Sequence, residues 1–169
     1  MDCTDIDKMI FEIIPENNLD DIKQVLQRSF ITVAAEFDIT KENAPTNPAF
    51  TTCEMIKKSI EKGLKLYGLY VDGKAIGTVG IEDANRDDLF FIERLAVVPE
   101  CRHKGYGKIL LDYAITAIKK ENGKKVSIGI IDKNIRLKNW YQNYGFVEKE
   151  VKTYDHLPFG VCFMEMTVQ

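Results

Sequence analysis

The chain has 169 residues, of which 45% are hydrophobic and 29% are charged, and its formal net charge is −3 at pH 7. This length and composition predict one globular domain spanning residues 1–169 and exclude a disordered chain. Because phosphate backbones are bound by a broadly basic surface, the negative charge argues against a nucleic-acid partner, and any basic site must be local.

The N-terminal segment does not resemble a signal peptide. Three acids stand in the first seven residues, where a signal peptide would be positively charged, and no apolar run approaches the ~18 residues of a membrane span. We therefore expect a cytoplasmic protein without a membrane partner.

The first sixty residues predict one strand and two helices. Pro15 stops the first apolar run, and Asn18 or Asp20 is placed to cap the helix that follows. Gly63 is a C-terminal stop for a second, shorter helix. The predicted elements are a strand over 6–14, a helix over 19–36, a loop over 38–48 and a helix over 52–62.

After Gly63 the hydrophobic period changes to that of strands. Asp72 and Gly73 form a strong signal for a two-residue hairpin, and Gly123 and Gly145 are each expected to end a helix. The predicted elements are strands over 64–71, 74–84 and 89–98, a helix over 105–122, a strand over 126–131, a helix over 134–144, and closing strands over 146–154 and 161–168 around a 156–160 turn.

This order, β-α-α-β-β-β-α-β-α-β-β, predicts an α/β fold of the α+β kind with one mixed sheet. No repeat, low-complexity segment or linker divides the chain. The four cysteines show no C-x-x-C spacing, so no metal site and no redox pair is predicted. Cys53 and Cys162 suit a core, and no pattern supports a reactive thiol at Cys101.

The segment over 93–108 is the most informative part of the sequence. An apolar strand runs into a turn that contains Gly105 and Gly107 and opens a long amphipathic helix. Helix N-termini offer free N–H groups to anions, and glycines permit close approach, so the turn suits a pyrophosphate. Positive charge comes from four basic or titratable side chains of the same turn: Arg102, His103, Lys104 and Lys108.

Two nucleotide-binding motifs resemble this turn without fitting it. A Walker A motif needs Ser or Thr after Gly-Lys, where Ile109 stands. A dinucleotide-binding turn needs a third glycine where Leu110 stands, although Asp132 could imitate the ribose-binding acid. An ordinary loop with exposed charges is the further alternative, because short motifs arise often by chance.

Two signatures together resemble the GNAT superfamily of N-acetyltransferases. The sequence R-H-K-G-Y-G at 102–107, after a strand, resembles the family's pyrophosphate motif. The stretch from Asn134 to W-Y-Q-N-Y-G-F at 140–146 is similar to its second signature, at a family-like separation. Residues 89–147 carry the specific resemblance.

The resemblance implies a GNAT-like fold whose splayed parallel central strands, here 89–98 and 126–131, hold the pantetheine arm of acetyl-CoA. Backbone groups of Leu95, Ala96 and Val97 would pair with pantetheine and polarise the thioester carbonyl. Asn134 would contact coenzyme A, or it simply caps its helix. The implied pyrophosphate site consists of Arg102, His103, Lys104, Gly105, Tyr106, Gly107 and Lys108.

The resemblance also suggests a general base, Glu93, acting directly or through water. Such help is needed because a lysine-like amine with a pKa of ~10.4 is less than ~0.1% neutral at pH 7. A structural ion pair, with Arg136 or a neighbour of Arg94, is the alternative. Period-two alternation predicts two faces for this strand, with Glu93, Leu95 and Val97 on one and Ile92, Arg94 and Ala96 on the other.

Tyr141 matches the family's tyrosine acid, which serves the leaving thiolate. Its alternative is a core position, because Leu137, Tyr141 and Tyr144 recur on one helix face. Acceptor residues are less well specified, and the resemblance suggests Asn47, Tyr154, His156 and Phe159.

The sequence thus predicts an acetyl-CoA-dependent N-acetyltransferase for a primary amine of a small molecule or peptide. A coenzyme A-binding module without turnover and a homodimeric assembly remain open.

Overall fold

Seven strands form one mixed sheet in the computed structural model, which describes residues 8–168. They are β1 (Lys8–Glu12), β2 (Lys65–Val71), β3 (Lys74–Asp83), β4 (Leu89–Val97), β5 (Lys125–Ile131), β6 (Val147–Lys152) and β7 (Val161–Thr167). Their spatial order is β1-β2-β3-β4-β5-β7-β6, and only β4 and β5 are parallel neighbours. The predicted mixed α/β fold is confirmed. The first two residues of the predicted 6–14 strand, the acidic start and Cys3 lie outside the described residues.

Four helices accompany the sheet within the described residues. Two of them end at glycines that were expected to end them. Gly63 and Gly145 follow their helices with φ values of 114° and 129°. No helix in residues 8–168 is long and apolar enough to cross a membrane. The helices are α1 (Leu19–Glu36), α2 (Cys53–Glu61), α3 (Tyr106–Lys120) and α4 (Ile135–Tyr144), with short 3₁₀ turns at Pro48–Phe50 and Pro99–Cys101.

The end of α3 differs from the prediction that Gly123 terminates it. The left-handed residue after the helix is Asn122, with φ 63°. Gly123 is instead a packing position, since a Cβ there would lie 2.4 Å from Ile118 Cγ2 and 2.8 Å from Phe90 Cδ2. Asparagine tolerates the left-handed conformation, so Asn122 can end the helix. Gly123 then serves a different purpose, because its missing side chain leaves room for the Phe90 ring.

The helices cover both faces of the sheet. A Cβ on Gly68 would lie 2.9 Å from Ile22 Cδ1 of α1, whereas one on Gly77 would lie 2.8 Å from Leu110 Cδ1 of α3. Gly68 pairs with Thr78, the residue after Gly77, so these two contacts belong to opposite faces. Residues of α1 and α2 share one buried apolar cluster, and residues of α3 and α4 share another.

The parallel pair β4–β5 separates soon after it begins. Leu89–Phe91 pair with Lys125–Ser127, and no later residues of the two strands pair. Because β4 continues to Val97 and β5 to Ile131, a slot opens through the middle of the sheet. The predicted splay of the central strands is therefore confirmed.

A β-bulge in β4 alters the faces to which its side chains point. Arg94 has a left-handed φ of 53°. Glu93 pairs with Gly80, and Ala96 pairs with Thr78. These partners are two residues apart on β3, so they share a face, although three positions separate Glu93 from Ala96.

The predicted alternation along β4 is therefore wrong beyond Glu93. Ala96 shares the face of Glu93, and Val97 lies on the other face. Arg94 also reaches the α1–α2 side, where its Nη2 donates to Ser59 Oγ of α2 at 3.0 Å. The bulge thus turns the Glu93 and Arg94 side chains toward the same pair of helices.

Candidate active site

A cavity of about 1150 Å³ occupies the slot between β4 and β5. Its walls come from both faces of the sheet, because α1 lines it on one side and the first turn of α3 together with α4 lines it on the other. The cavity therefore gives access to the separated strand edges from both faces. It contains most of the site residues predicted from the sequence.

The turn before α3 presents a row of unused amides to this cavity. Within residues 8–168, no acceptor receives a hydrogen bond from the backbone N–H groups of 103–108, and the first helical bond runs from Ile109 N to Gly105 O. His103 and Gly105 have left-handed φ values of 61° and 86°. Alternation of left- and right-handed residues makes successive N–H groups converge, a geometry that suits an anion.

The four charged or titratable side chains of the turn have different surroundings. Arg102 points away from the turn and donates three hydrogen bonds to α1 and β4. Lys108 Nζ lies 2.7 Å from Asp112 in an exposed ion pair. His103 and Lys104 are exposed and form no ion pair within the described part of the chain. The unused donors of this turn are therefore mainly its backbone amides and not its side chains.

Trp140 of α4 faces the same turn. A Cβ on Gly107 would lie 3.5 Å from its Cζ2 and 3.8 Å from its Cη2. Both residues line the cavity, and a single added carbon on Gly107 would already be in van der Waals contact with the Trp140 ring. Trp140 belongs to the second signature and was assigned no role from the sequence, although an aromatic residue directly before Tyr141 was a usable signal.

Glu93 lines the cavity on the α1–α2 side and keeps 41% of its side-chain surface. Burial raises the pKa of its carboxyl, the charge of Arg94 opposes that rise, and the neighbouring carboxylate Glu82 adds to it. Arg94 Nη1 is 3.8 Å from Glu93 Oε1, too far for a hydrogen bond. The alternative partner Arg136 lies 3.7 Å from Glu36 instead. Glu93 therefore forms only a long ion pair with Arg94, without a hydrogen bond between them.

Tyr141 lines the cavity from α4, with 5% of its surface exposed. Its ring packs edge-on against Trp140 and Phe146, which satisfies the core role considered for it. Its hydroxyl has no hydrogen-bond partner in residues 8–168, whereas the Tyr144 hydroxyl donates to Asp112 Oδ1 at 2.6 Å. Of these two tyrosines, only Tyr141 offers a hydroxyl to a molecule in the cavity.

Asn134 both caps α4 and lines the cavity. Its Oδ1 accepts a hydrogen bond from Leu137 N at 3.2 Å, so Asn134 does cap its helix, the alternative considered for it. Leu95, Ala96 and Val97 also line the cavity, next to the edge of β4 that β5 has left. The Val97 carbonyl already accepts a bond from Arg102 Nε at 3.0 Å.

The suggested acceptor residues divide into two groups. Asn47 and Phe159 line the cavity, while Tyr154 and His156 do not and face each other with ring centroids 5.6 Å apart. Several further lining residues were not predicted from the sequence, and of these Glu82 was detectable by strand periodicity. The missed residues include Ser29, Phe30, Thr32, Glu36, Glu82 and Phe91.

The cysteines vary in burial. Cys162 is fully buried as predicted, and burial raises the pKa of its thiol, but Cys53 is only half-buried at the start of α2. Cys101 lines the cavity. Within residues 8–168, no group of three or more His, Cys, Asp or Glu side chains could hold a metal ion.

Comparisons with known proteins agree with this architecture. The PaiA N-acetyltransferase of Thermoplasma acidophilum, solved in complex with coenzyme A, superposes with a TM-score of 0.79 at 20% identity, covering 96% of this chain and 99% of that one. The ribosomal-protein-S18-alanine N-acetyltransferase of Escherichia coli gives a TM-score of 0.75 at 14% identity, covering 96% and 95%. A GNAT-family acetyltransferase of Staphylococcus aureus Mu50 gives 0.72 at 20% identity, covering 96% and 100%. Residues 21–146 match the acetyltransferase (GNAT) family, and the chain belongs to that family.

Proposed function

We propose that this chain transfers the acetyl group of acetyl-CoA to a primary amine of a small molecule or peptide. The observation that carries the proposal is the slot between β4 and β5, which is reached from both faces of the sheet and has free amides at one end. A long, anionic cosubstrate and a separate acceptor can then meet inside the slot from opposite sides. The neighbour solved with coenzyme A supports the choice of cosubstrate.

The three parts of the cosubstrate, its diphosphate, pantetheine and thioester, can be placed in order along residues of the cavity. The diphosphate would lie against the amides of 103–108, where the dipole of α3 also favours negative charge. Pantetheine would follow the free edge of β4 beside Leu95, Ala96 and Val97, and Asn134 would contact it from α4. The thioester would then lie between Glu93 and Tyr141.

The two side chains assigned to the chemistry approach the slot from different elements. Glu93 first accepts a proton from the acceptor ammonium, directly or through water. The neutral nitrogen then attacks the thioester carbonyl carbon, a C–N bond forms, the C–S bond breaks, and the second proton lost from nitrogen passes to the departing sulfur, which leaves as the thiol. Tyr141, on α4, would hydrogen-bond to the departing sulfur. Glu93 faces α1 and α2, whereas Tyr141 lies on α4. The base that serves the acceptor nitrogen is therefore separate from the group that serves the departing sulfur.

The wall beside Glu93 suits an amine that arrives as a cation. Glu36, Glu82 and Glu93 all line it. Arg136 lies 3.7 Å from the Glu36 carboxylate, and Arg94 lies 3.8 Å from that of Glu93, so both ion pairs are long. The wall also has aromatic surface suited to a hydrocarbon chain, from Phe30, Phe91 and Phe159.

The function is tested in two steps. We expect coenzyme A, but neither NAD nor ATP, to raise the melting temperature, since a specific ligand stabilises the folded state. Thiol release from acetyl-CoA should then exceed the amine-free rate for some member of a panel of polyamines, aminoglycosides, amino acids and peptides. Binding without release across the panel would support the non-catalytic module instead, and absence of binding would refute both proposals.

Glu93→Gln is expected to move the pH dependence of kcat/KM toward higher pH. Activity of the wild type should rise as pH passes through the raised pKa of Glu93, because the base must be ionised. Without the carboxylate, activity follows the ionisation of the amine and keeps rising toward pH ~10, with about 10-fold loss at pH 7. The measurement is a pH–rate profile with saturating acetyl-CoA.

Glu82→Gln is the matched control for this profile. The Glu82 charge raises the pKa of Glu93, so its removal should lower that pKa and move the acid limb toward lower pH. Opposite displacements in the two variants are therefore expected. An unaltered profile in Glu93→Gln would assign the proton to another group.

A further inference from the structure

The Arg102 side chain joins three parts of the molecule around the cavity. Its Nε donates to Val97 O at 3.0 Å, its Nη1 to Thr32 Oγ1 at 3.1 Å, and its Nη2 to Ser29 O at 2.8 Å. Its backbone N–H is also used, with Pro99 O 3.3 Å away. Each of the three side-chain nitrogens of Arg102 thus donates to the protein, whereas the amides that follow it remain free.

The partners of Arg102 belong to the walls of the cavity. Ser29 and Thr32 line it from α1, and Val97 is the last residue of β4 before the turn over 102–108, here called the cofactor turn. Arg28 and Glu100 form a second link between α1 and this region, but their side chains are 52% and 57% exposed, so that pair contributes little. Arg102 is more deeply placed and provides the stronger connection.

We infer that Arg102 is a positioning residue, which fixes the cofactor turn against α1 and the end of β4 through its forked guanidinium and not by binding the diphosphate. The inference rests on the proposed function. The turn includes left-handed residues at His103 and Gly105, so its amides converge only while its backbone is held in place. A planar guanidinium suits this task because its donors point in fixed directions.

Conservative and neutral replacements of Arg102 distinguish positioning from charge. Both Arg102→Lys and Arg102→Gln should weaken coenzyme A binding about 10-fold, since neither can replace the three-way contact. The slope of affinity against ionic strength should stay that of the wild type. A diphosphate ligand would behave differently, because Arg102→Lys would retain affinity and Arg102→Gln would flatten the slope.

Thr32→Val tests the same contact without altering charge. It removes the acceptor of Nη1 and should weaken coenzyme A binding about 3-fold in the wild type, with no further loss in the Arg102→Gln background. Thr116→Val is the matched control, since Thr116 is exposed on α3 and its hydroxyl only donates to Asp112 O. That control should leave affinity unchanged.

The measurements are calorimetric titrations with coenzyme A at several salt concentrations, after melting curves show each variant folded. Should Arg102→Gln not fold, the Thr32→Val and Arg102→Lys titrations decide. Wild-type affinity in both Arg102→Lys and Thr32→Val would overturn the inference. A wild-type protein that does not bind coenzyme A would instead refute the proposed function, so the two failures are distinguishable.

Discussion

Gly107→Val is expected to weaken coenzyme A binding by about 100-fold or more, whereas Gly107→Ala should cost about 3-fold or less. A Cβ at this position reaches only ordinary contact with Trp140, at 3.5 Å. The two further methyl groups of valine would enter the gap between the turn and Trp140, forcing one of them to move. Displacement of the turn would misplace several converging amides at once, and in the proposed function each of them donates to the charged diphosphate.

Calorimetric titration of the three proteins with coenzyme A measures this effect. Thr116→Val serves as the control for a β-branched residue on α3, away from the cavity, and should bind coenzyme A normally. Melting temperatures separate a blocked site from a damaged fold. If Gly107→Val retains wild-type affinity, the diphosphate does not use this turn, and the proposed path of the cosubstrate is wrong.

The sequence predicted most of the elements because their signals are local and strong. Asp72 and Gly73 both adopt left-handed φ values, 49° and 76°, as the hairpin signal required. Gly63 and Gly145 end their helices for the same steric reason. The free amides before α3 also follow from local features, since a helix start after a glycine-rich turn leaves its first N–H groups without helical partners.

The geometry around Glu93 could not be predicted in the same way. Counting alternate residues along β4 fails at Arg94, whose left-handed φ adds an extra residue to the strand. Nothing in the sequence marks this position, because an arginine has no preference for that conformation. The bulge is imposed by pairing with β3, and it determines that Glu93 shares a face with Ala96.

The orientation of Arg102 was hidden for a different reason. A basic residue in an anion-binding turn suggests a phosphate contact, but its actual partners, Ser29 and Thr32, precede it by 73 and 70 residues. Such contacts depend on how α1 packs over the end of β4. The local motif therefore predicted a turn with free amides, but it left the direction of the Arg102 side chain undetermined.

Tyr141→Phe is expected to lower kcat about 100-fold while changing the affinity for coenzyme A less than about 3-fold. Phenylalanine keeps the ring contacts with Trp140 and Phe146 and removes only the hydroxyl, which has no partner in residues 8–168. Steady-state kinetics with the fastest amine of the panel, together with calorimetry, measure both quantities. Unchanged kcat would remove Tyr141 from the mechanism.

Tyr144→Phe is the matched control, one turn further along α4. Its hydroxyl donates to Asp112, so its loss should cost about 1 kcal/mol of unfolding free energy and leave kcat unchanged. Equal losses of kcat in the two variants would indicate a general weakening of α4, and would count against a specific role for Tyr141.

The pKa of Tyr141 determines whether its hydroxyl can donate a proton, or only a hydrogen bond, to the leaving thiolate. Burial raises the pKa of its hydroxyl well above the ordinary value of 10.0, whereas a thiol has a pKa of ~8.5. Complete proton transfer to the thiolate would therefore be unfavourable, and a hydrogen bond from the neutral hydroxyl is the form of stabilisation that the burial supports. It follows that kcat of the wild type should show no alkaline decrease due to Tyr141 below pH ~10. A decrease between pH ~7 and ~9 that disappears in Tyr141→Phe would mean that the hydroxyl ionises during turnover, contrary to this account.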